Sequence, residues 1–502
     1  MADTRHLAVK GGLVLTPAFD AVRADILIRD GVILAVVPPG ATLPEDTVTV
    51  DATDRAVMPG LVNAHVHGHG TLAKGLVEDH WPLDLFLNAL PGLGGHRTPD
   101  DMRLNGLVGA VEMIRKGTTA CFDLFFEYPR PSREGLFAVA QAYDEAGLRA
   151  VVAPMVADRS YYEAYPDLVA SMTDAERADA SSVRMGAADS ILGVVAEAVR
   201  AWPFDRSRVC PGLAPAIPLH CTDAFLSGCR DLARDYALPV QTHLAETRVQ
   251  AIEGKRRYGS TITAYLDALG LLGPDFSAAH GIWLDADDLG LLADRGATIV
   301  HAPTSNLRFG SGIAPIRAAM DRGVAIGLAT DAANSSDHLN MFEALRAAAS
   351  VSTLVTTDFD RWLGASDVLG FATEGSARAM GMAGRIGRIA PGFEADLVFL
   401  DLGHINYVPL GNLARQIVFT ENAGAVDSVM IAGRMVLERG RMTTVDEPRL
   451  RRDAQAAANR LYEANRPGRD RSARLQPAVA RFCAGFGCQP YHVHRLACAP
   501  PG

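Results

Sequence analysis

Residues 59–380 alternate between short apolar segments and longer segments of helical pattern, and this alternation constrains the fold more than any other feature of the sequence. The apolar segments each end in polar residues or proline and include 148–154, 209–215, 239–243, 277–280, 298–301 and 324–331. The helical segments are rich in Ala and Leu, as in 102–116 and 342–352. Repeated strand–helix units predict a parallel sheet. The length of 59–380 suits a closed (β/α)8 TIM barrel with insertions, so the predicted fold class is α/β.

Both ends of the chain have strand character instead. Residues 7–57 contain short apolar segments and an Asp30-Gly31 turn of the kind that joins hairpin strands. The same pattern returns near Gly384. Because a β unit as short as 7–57 would be marginal alone, we expect the two ends to build one small β-sandwich domain beside the barrel. The predicted domains are therefore 1–58 plus 381–445 for the sandwich and 59–380 for the barrel.

The last segment, 446–502, is predicted to be a helix followed by an irregular tail. Residues 448–466 are rich in Ala and Arg, and the chain after Pro467 is predicted to be loop-like. The tail carries three cysteines and two histidines, namely Cys483, Cys488, Cys498, His492 and His494. Their spacing is irregular for structural zinc, which favours a disordered or subunit-contacting tail over a second metal site.

Charge and hydropathy exclude several classes of protein. The formal net charge is -10, whereas sequence-independent binding of nucleic acid needs clustered Lys and Arg. No segment reaches the roughly 18 consecutive apolar residues of a membrane-spanning helix. The N-terminus has no apolar signal segment, and seven cysteines in 502 residues do not predict a disulfide framework. We expect a cytoplasmic enzyme that acts on a small molecule, without nucleic-acid or membrane partners.

Four strand ends of the predicted barrel carry residues that bind metals. His65 and His67 stand at i and i+2, so in a strand both imidazoles face one side. His243, His280 and Asp331 each close a segment that is predicted to be a strand. Active sites of such barrels lie at the carboxyl ends of the strands, where these side chains would converge. Three imidazoles and a carboxylate suit Zn²⁺, Fe²⁺ or a similar ion.

Glu246 follows His243 by three residues and is a candidate for proton transfer. Metal binding lowers the pKa of water from roughly 16 towards about 7, and a nearby carboxylate could pass the released proton to a leaving amine. Each feature alone has a structural alternative. A single histidine could be a hydrogen-bonded strand-end residue, and Asp331 could be a helix N-cap. Their joint occurrence, in barrel order, is what indicates a metal site.

These segments resemble the amidohydrolase superfamily, and more narrowly the branch that holds cytosine, guanine and adenosylhomocysteine deaminases and the triazine hydrolases. The resemblance runs from about residue 7 to 440. It is carried by 58–67 (MPGLVNAHVH), 242–247 (THLAET), His280-Gly281, 303–312 (PTSNLRFGSG), 327–331 (GLATD) and 386–398 (IGRIAPGFEADLV).

The resemblance implies a mononuclear site with one divalent ion. Its ligands would be His65, His67, His243 and Asp331. Glu246 and Asp331 would move protons, and His280 would orient the water or the tetrahedral intermediate. Binuclear relatives bridge two ions with a carboxylated lysine on a middle strand, and residues 151–242 contain no lysine. Zinc is the expected ion, with iron, manganese and cobalt as alternatives, and a homo-oligomer is expected.

The substrate-contacting positions depart from the family pattern. Gly70 stands where many relatives have a side chain that contacts substrate, and Ala216 stands where adenosine-type relatives have a histidine. The second departure argues against a nucleoside substrate. The predicted substrate contacts, each with a structural or solvated alternative, are His69, Lys74, His220 and Asn306.

The function predicted from these residues is hydrolysis of a C–N bond by metal-activated hydroxide. Deamination of a heteroaromatic amine of purine, pyrimidine, pterin or triazine type is the first choice. The alternative is hydrolysis of ureas, carbamates, thiocarbamates or chlorotriazines at the same mononuclear site. A third alternative is a non-catalytic barrel, but relatives of that kind have lost metal ligands, whereas this sequence keeps them all.

Overall fold

The computed structural model describes residues 6–336, 338–487 and 489–496. Its strands, in chain order, are β1 His6–Leu15, β2 Ala21–Arg29, β3 Val32–Val37, β4 Val48–Asp51, β5 Arg55–Pro59, β6 Leu61–Val66, β7 Thr118–Phe125, β8 Arg149–Val156, β9 Val209–Pro211, β10 Ala214–Pro215, β11 Val240–Leu244, β12 Phe276–His280, β13 Thr298–His301, β14 Ala325–Leu328, β15 Leu397–Asp401, β16 Val426–Ile431, β17 Arg434–Glu438 and β18 Arg441–Met442.

The helices lie mostly between the strands of the middle of the chain. They are α1 Leu83–Gly94, α2 Pro99–Arg115, α3 Arg133–Ala146, α4 Tyr161–Ala164, α5 Pro166–Ala170, α6 Asp174–Ser181, α7 Ala188–Arg200, α8 Asp223–Tyr236, α9 Arg248–Tyr258, α10 Ile262–Ala268, α11 Ala286–Asp294, α12 Pro303–Arg308, α13 Ile316–Asp321, α14 Met341–Ser352, α15 Ala365–Gly370, α16 Ser376–Ala379, α17 Leu413–Phe419, α18 Glu447–Ala464 and α19 Arg466–Phe486. Short 3-10 helices span Gly68–Ala73, Pro218–His220, Phe359–Arg361 and Ile405–Tyr407, and a π-helical turn spans Phe371–Gly375.

A mixed sheet joins the two ends of the chain. Its strand order is β18-β17-β16-β15-β5-β1-β2-β3, with β4 beside β1. The ends meet where β5 pairs antiparallel with β15. The hairpin between β2 and β3 turns at Asp30 and Gly31, whose φ values of 51° and 81° fit the left-handed turn that a tight hairpin requires. This sheet therefore contains strands from both ends of the chain.

Two parallel sheets carry the middle of the chain. One has the order β10-β8-β7-β6 with β9 beside β8, and the other has the order β11-β12-β13-β14. Strands such as β6, β7 and β12 are buried along their whole length, because helices or the opposite sheet cover both faces. Backbone hydrogen bonds join the sheets on both sides, from His243 N to Ala216 O (3.1 Å) and from Asp331 N to His65 O (3.0 Å). The carboxyl ends of β6, β11 and β14 therefore lie together.

The prediction of an irregular chain after Pro467 is wrong for most of that segment. α18 ends at Ala464, and α19 then runs from Arg466 to Phe486. Pro467 stands in the first turn of α19, where a missing N–H costs no helical hydrogen bond. α19 also has a buried stripe that packs on other helices, formed by Leu475, Ala478, Val479 and Phe486. The proline therefore begins a helix instead of ending one.

The tail residues predicted to be irregular are described only in part. Cys488 and Cys498 lie outside the described residues. His492 Nε2 lies 2.7 Å from Asp285 Oδ2, so this imidazole is engaged with the loop after β12. Among the described helices, none combines the length and the hydropathy needed to cross a membrane.

Candidate active site

The strand ends bring the predicted metal-binding side chains into one buried cluster. His67 Nε2 and His243 Nε2 lie 3.2 Å apart. Asp331 Oδ1 lies 3.5 Å from His65 Nε2 and 3.3 Å from His67 Nε2. His280 belongs to the same cluster, with its ring centroid 5.5 Å from that of His243. These residues come from β6, β11, β12 and the end of β14, so the convergence follows from the parallel strands.

Each imidazole of the cluster turns its Nδ1 atom towards an oxygen. The pairs are His65 with Gln241 Oε1 at 2.5 Å, His67 with Leu124 O at 2.8 Å, His243 with Ala216 O at 2.6 Å, and His280 with Asn306 Oδ1 at 2.8 Å. A carbonyl oxygen can only accept, so Nδ1 carries the proton in every ring. The lone pair of every Nε2 then points into the cluster, which is the tautomer of a metal ligand.

The arrangement fits one divalent cation. The buried Nε2 atoms of His65 and His280 have no hydrogen-bond partner among the described residues. Two Nε2 lone pairs as close as those of His67 and His243 repel each other unless a cation lies between them. Tetrahedral zinc with Zn–N distances of 2.0–2.1 Å separates two nitrogens by about 3.3 Å. The ligand atoms of His65, His67 and Asp331 also lie within 4.8 Å of one another.

Burial sets the charge of the cluster. It lowers the pKa of His67 to about 4 and, with the neighbouring imidazoles, places that of His243 well below its ordinary value. Burial opposes the ionisation of Asp331, but His65 and His67 outweigh it and hold the pKa of the carboxyl well below its usual range. At neutral pH His67 and His243 are therefore neutral and Asp331 is ionised, which are the forms that bind a metal.

Two residues of the cluster have strained backbones. The φ values of His280 and Asp331 are 68° and 67°, in the left-handed region that side chains disfavour by about 1–3 kcal/mol. Asp331 is held there by Ser305 Oγ, which donates to Oδ2 at 2.5 Å, and by Ala332 N, which donates to Oδ1 at 2.7 Å. Strain of this kind persists at sites where orientation matters, so it supports the functional interpretation.

Glu246 stands beside the cluster as a buried carboxyl group. Its Oε1 atom lies 3.8 Å from His280 Nε2, and within the described chain its buried Oε2 atom has no hydrogen-bond partner. Burial, reinforced by the Asp331 carboxylate, raises the pKa of Glu246 well above its ordinary value. A carboxyl group with a raised pKa, placed beside the cluster, suits proton transfer to a bound molecule.

A cavity of about 980 Å³ opens from the cluster towards solvent. His69 and His220, two of the predicted substrate contacts, lie in its wall. His69 Nδ1 accepts a hydrogen bond from Phe126 N at 3.1 Å. Buried His220 Nε2 has no partner within the described residues, so it is free to meet a ligand.

The other two predicted substrate contacts lie elsewhere. Lys74 does not belong to the described wall of the cavity. It follows the 3-10 helix Gly68–Ala73, and its ammonium group forms an ion pair with Glu112 on α2. The structure therefore does not support a substrate contact at Lys74. Asn306 is buried behind His280 and accepts from its Nδ1, so it acts through that histidine. Gly70 has no room for a side chain, because a Cβ there would lie 2.3 Å from Asn334 Oδ1.

Gln241 is a site residue that the sequence reasoning missed. Its Oε1 faces His65, while its Nε2 donates to Ala64 O at 3.0 Å and to Ser277 Oγ at 2.8 Å. Gln241 precedes His243 by two residues in β11, so both side chains face the interior of the cluster. The i, i+2 spacing of Gln241 and His243 in a strand is the sequence signal that indicates this residue.

The cluster offers ligands for a metal and, beside them, the Glu246 carboxyl group. Activated water and a group that transfers protons are what hydrolysis needs, so the site defines a metal-dependent hydrolase. Residues 56–436 match the amidohydrolase family, and the chain belongs to this family. It is accordingly a hydrolase that acts on carbon–nitrogen bonds, with a TIM-barrel-like fold of parallel sheets and an additional sheet.

Two curated relatives align with this chain over almost the whole of their own length. A 5'-deoxyadenosine deaminase of Methanothermobacter thermautotrophicus is 34% identical over 466 residues, which are 91% of this chain and 99% of the relative. A 5-methylthioadenosine/S-adenosylhomocysteine deaminase of Pyrococcus furiosus is 31% identical over 446 residues, which are 88% of this chain and 98% of the relative.

Solved structures show the same architecture. An adenosine deaminase from Xanthomonas campestris with bound zinc has a TM-score of 0.80 at 29% identity, over 91% of this chain and 98% of that chain. An atrazine chlorohydrolase from Arthrobacter aurescens in complex with zinc has a TM-score of 0.81 at 23% identity, over 90% and 100% of the two chains. At 23% identity the second similarity concerns the fold alone.

Proposed function

We propose that the protein is a zinc-dependent deaminase of a heteroaromatic amine. The observation that carries the proposal is the position of the Glu246 carboxyl, whose Oε1 lies 3.8 Å from His280 Nε2 and whose buried Oε2 has no hydrogen-bond partner among the described residues. A carboxyl group in this position suits a substrate whose ring nitrogen must be protonated before water attacks. The names of the curated relatives support the same reaction class, because both are deaminases.

The proposed ligands are His65, His67, His243 and Asp331. A divalent ion held by them supplies Lewis acidity, which makes water a nucleophile at neutral pH. Zinc is the proposed ion because imidazole and carboxylate suit it and because the Xanthomonas structure contains it.

Glu246 begins the proposed reaction by donating its proton to the ring nitrogen beside the carbon that carries the amine. That carbon becomes electrophilic and is attacked by water. Asp331 accepts one proton from the attacking water. The ionised Glu246 takes the second proton of that water and passes it to the amine, which leaves as ammonia while the carbonyl forms. The proton held by Asp331 then restores the acid form of Glu246. Since its Nδ1 proton is directed at Asn306, His280 presents an Nε2 lone pair that accepts a hydrogen bond from the water and orients it.

Replacement of Glu246 by Gln tests the proposal. The amide keeps the shape but cannot transfer the proton, so we expect ammonia release to fall at least about 100-fold, the usual contribution of a general acid or base. Zinc content should remain one ion per chain. The control is Glu134→Gln on α3, where the glutamate side chain is 63% exposed. Turnover near that of the unmodified enzyme would refute the role of Glu246.

An apolar cavity wall favours a second candidate, hydrolysis of an alkylated urea, carbamate or chlorotriazine at the same site. Phe86, Leu87 and Met185 are part of this wall. The two candidates differ in product, since deamination releases ammonia, whereas the alternatives release an alkylamine, an aniline or chloride. Product analysis with zinc-loaded enzyme distinguishes them.

We also infer that the two parallel sheets form one closed eight-stranded barrel, in which β9 and β10, which both pair with β8, count as one interrupted strand. The bridge between Leu213 and Val240 supports one junction, and the hydrogen bond from Asp331 N to His65 O supports the other. The domain boundaries at 58, 381 and 445, the homo-oligomer and the cytoplasmic location stay predictions.

A further inference from the structure

Beyond the cluster, apolar side chains make up much of the cavity lining. Phe86, Leu87 and Leu90 of α1 belong to this lining, and we call them the α1 wall. Phe126 and Met185 also line the cavity. A substituent that projects from a ring bound at the cluster into this cavity therefore meets apolar side chains.

The hydroxyl groups of the cavity wall each form a hydrogen bond within the protein. Tyr161 donates to Asp84 Oδ1 at 3.1 Å, Tyr162 donates to Asn88 Oδ1 at 2.8 Å, Tyr128 accepts from Arg184 N at 3.3 Å, and Ser160 donates to Glu163 Oε2 at 2.9 Å. The carboxylates among the described lining residues, Glu246 and Asp331, both belong to the cluster. The outer cavity therefore offers neither a carboxylate nor an amide side chain to a sugar diol.

Two polar groups of the described wall remain available, and they are neighbours. His220 Nε2 is buried without a partner, and its ring lies edge-on to Tyr161 and Tyr165 at centroid distances of 6.1 and 6.0 Å. Arg159 N donates to His220 O at 3.1 Å, and the half-buried Arg159 guanidinium forms no ion pair or hydrogen bond with the described chain. Glu246 and His220 line the same cavity, so both side chains can face one bound ligand.

We propose that the substrate is a heteroaromatic amine with an apolar alkyl or aryl substituent in place of a sugar, and that His220 is a specificity-determining residue that bonds a heteroatom of its ring. This inference rests on the proposed deaminase function. The substituent lies against the α1 wall, where apolar contact favours it. The hydroxyls of a ribose would lose their water there and find no carboxylate or amide side chain in the outer cavity, which is a large handicap in a buried site.

Binding to the zinc-loaded Glu246→Gln enzyme tests the inference apart from catalysis. The probes are matched pairs on one ring, 9-benzyladenine against adenosine and N-isopropylmelamine against N-(2,3-dihydroxypropyl)melamine. Calorimetry should give a dissociation constant at least 10-fold lower for the apolar member of each pair that binds. Equal or tighter binding of the polar members would overturn the inference, and so would the failure of all four compounds to bind.

The turnover of the same compounds by unmodified enzyme separates the two proposals. Preferential binding of the apolar members without ammonia release would reject the deaminase function but support an apolar binding site for the substituent. Ammonia release with a preference for adenosine would keep the deaminase function and reject the apolar substituent.

Variants of the walls give a second readout. Leu87→Ser and Leu90→Ser change half-buried side chains, and each should reduce the preference for the apolar member at least threefold through KM. Leu354→Ser is the matched control, because Leu354 is 69% exposed and lies outside the cavity wall.

His220→Ala should raise KM at least 10-fold for both members of a pair, with partial rescue in His220→Gln. Unchanged KM values in folded, zinc-containing variants would overturn the assignment.

Discussion

Single hydrogen bonds decide which nitrogen of each histidine faces the metal position. Gln241 illustrates this at the residue scale, because its amide donates to Ala64 O and Ser277 Oγ and so must present its oxygen to His65. The oxygen in turn fixes the proton on His65 Nδ1 and leaves Nε2 free. A residue that touches neither metal nor substrate thus controls the chemistry of a ligand.

Gln241→Leu should weaken zinc binding. The change removes the acceptor and leaves the Nδ1 proton of His65 buried without a partner, so we expect affinity to fall about 10- to 100-fold. Competition with a chromogenic chelator measures the change. Gln141→Leu, on the exposed face of α3, is the control. Zinc affinity equal to that of the unmodified protein would show that Gln241 does not position His65.

Asp84 should make stability depend on pH. Burial raises the pKa of Asp84 on α1 to about 6, although the Tyr161 hydroxyl donates to it. The folded protein keeps this proton at pH values where the unfolded chain, with a pKa near 3.9, has lost it, so this group disfavours folding increasingly as pH rises.

The Asp84→Asn variant removes this titration. Between pH 4 and pH 7 the unfolding free energy of the variant should gain about 2 kcal/mol relative to the unmodified protein. Urea titrations of both proteins at equal zinc concentration measure the difference. A difference that stays constant over this range would contradict the prediction.

At the scale of elements, the C-terminal segment packs against the elements that surround the site. α19 packs along α1, which forms one wall of the cavity. Beyond α19, the Arg495 guanidinium donates to Ile282 O at 3.0 Å and to Leu284 O at 2.5 Å, while Arg495 O accepts from Ile313 N at 2.7 Å. These contacts connect the loop after His280 to the segment that follows Asn306.

Arg495→Ala should lower kcat although the variant still folds. Loss of the two guanidinium contacts loosens the loop that follows His280, so the imidazole and its Asn306 partner are held less firmly. We expect a several-fold decrease in kcat and faster amide exchange in 281–284 and 311–313. Arg481→Ala, on the exposed side of α19, provides the comparison. If kcat and exchange match those of that control, the C-terminal segment has no part in positioning His280.

At the scale of the whole molecule, the proposed metal would link both parallel sheets. His65 and His67 come from one sheet, while His243 and Asp331 belong to the other. An ion that binds only the folded arrangement stabilises it by mass action, about 4 kcal/mol at a free concentration 1,000-fold above Kd.

Removal of zinc should therefore lower the melting temperature by several degrees, and zinc should restore it while magnesium should not, because magnesium prefers oxygen ligands. Differential scanning calorimetry of chelator-treated and reconstituted protein measures the change. The Asp331→Asn variant should lose most of the response. A melting temperature independent of zinc in the unmodified protein would contradict the proposed site.

Much of the fold and of the cluster was predictable because both depend on local pattern. Strands that end in His243, His280 and Asp331 are readable from alternating segments, and parallel strands place their carboxyl ends together. The helices predicted at 102–116 and 342–352 are α2 and α14. α19 is not predicted from the local sequence pattern, whereas its burial against α1 favours a helix.

Ligand types and their strand-end positions are local properties, so the class of chemistry follows from the sequence. The surroundings of these ligands follow from the tertiary structure. There Lys74 forms an ion pair with Glu112, Asn306 accepts a hydrogen bond from His280, and His220 Nε2 has no partner among the described residues. The physical reason is that a side chain's partner across loops depends on packing between distant segments, which no periodicity along the chain encodes.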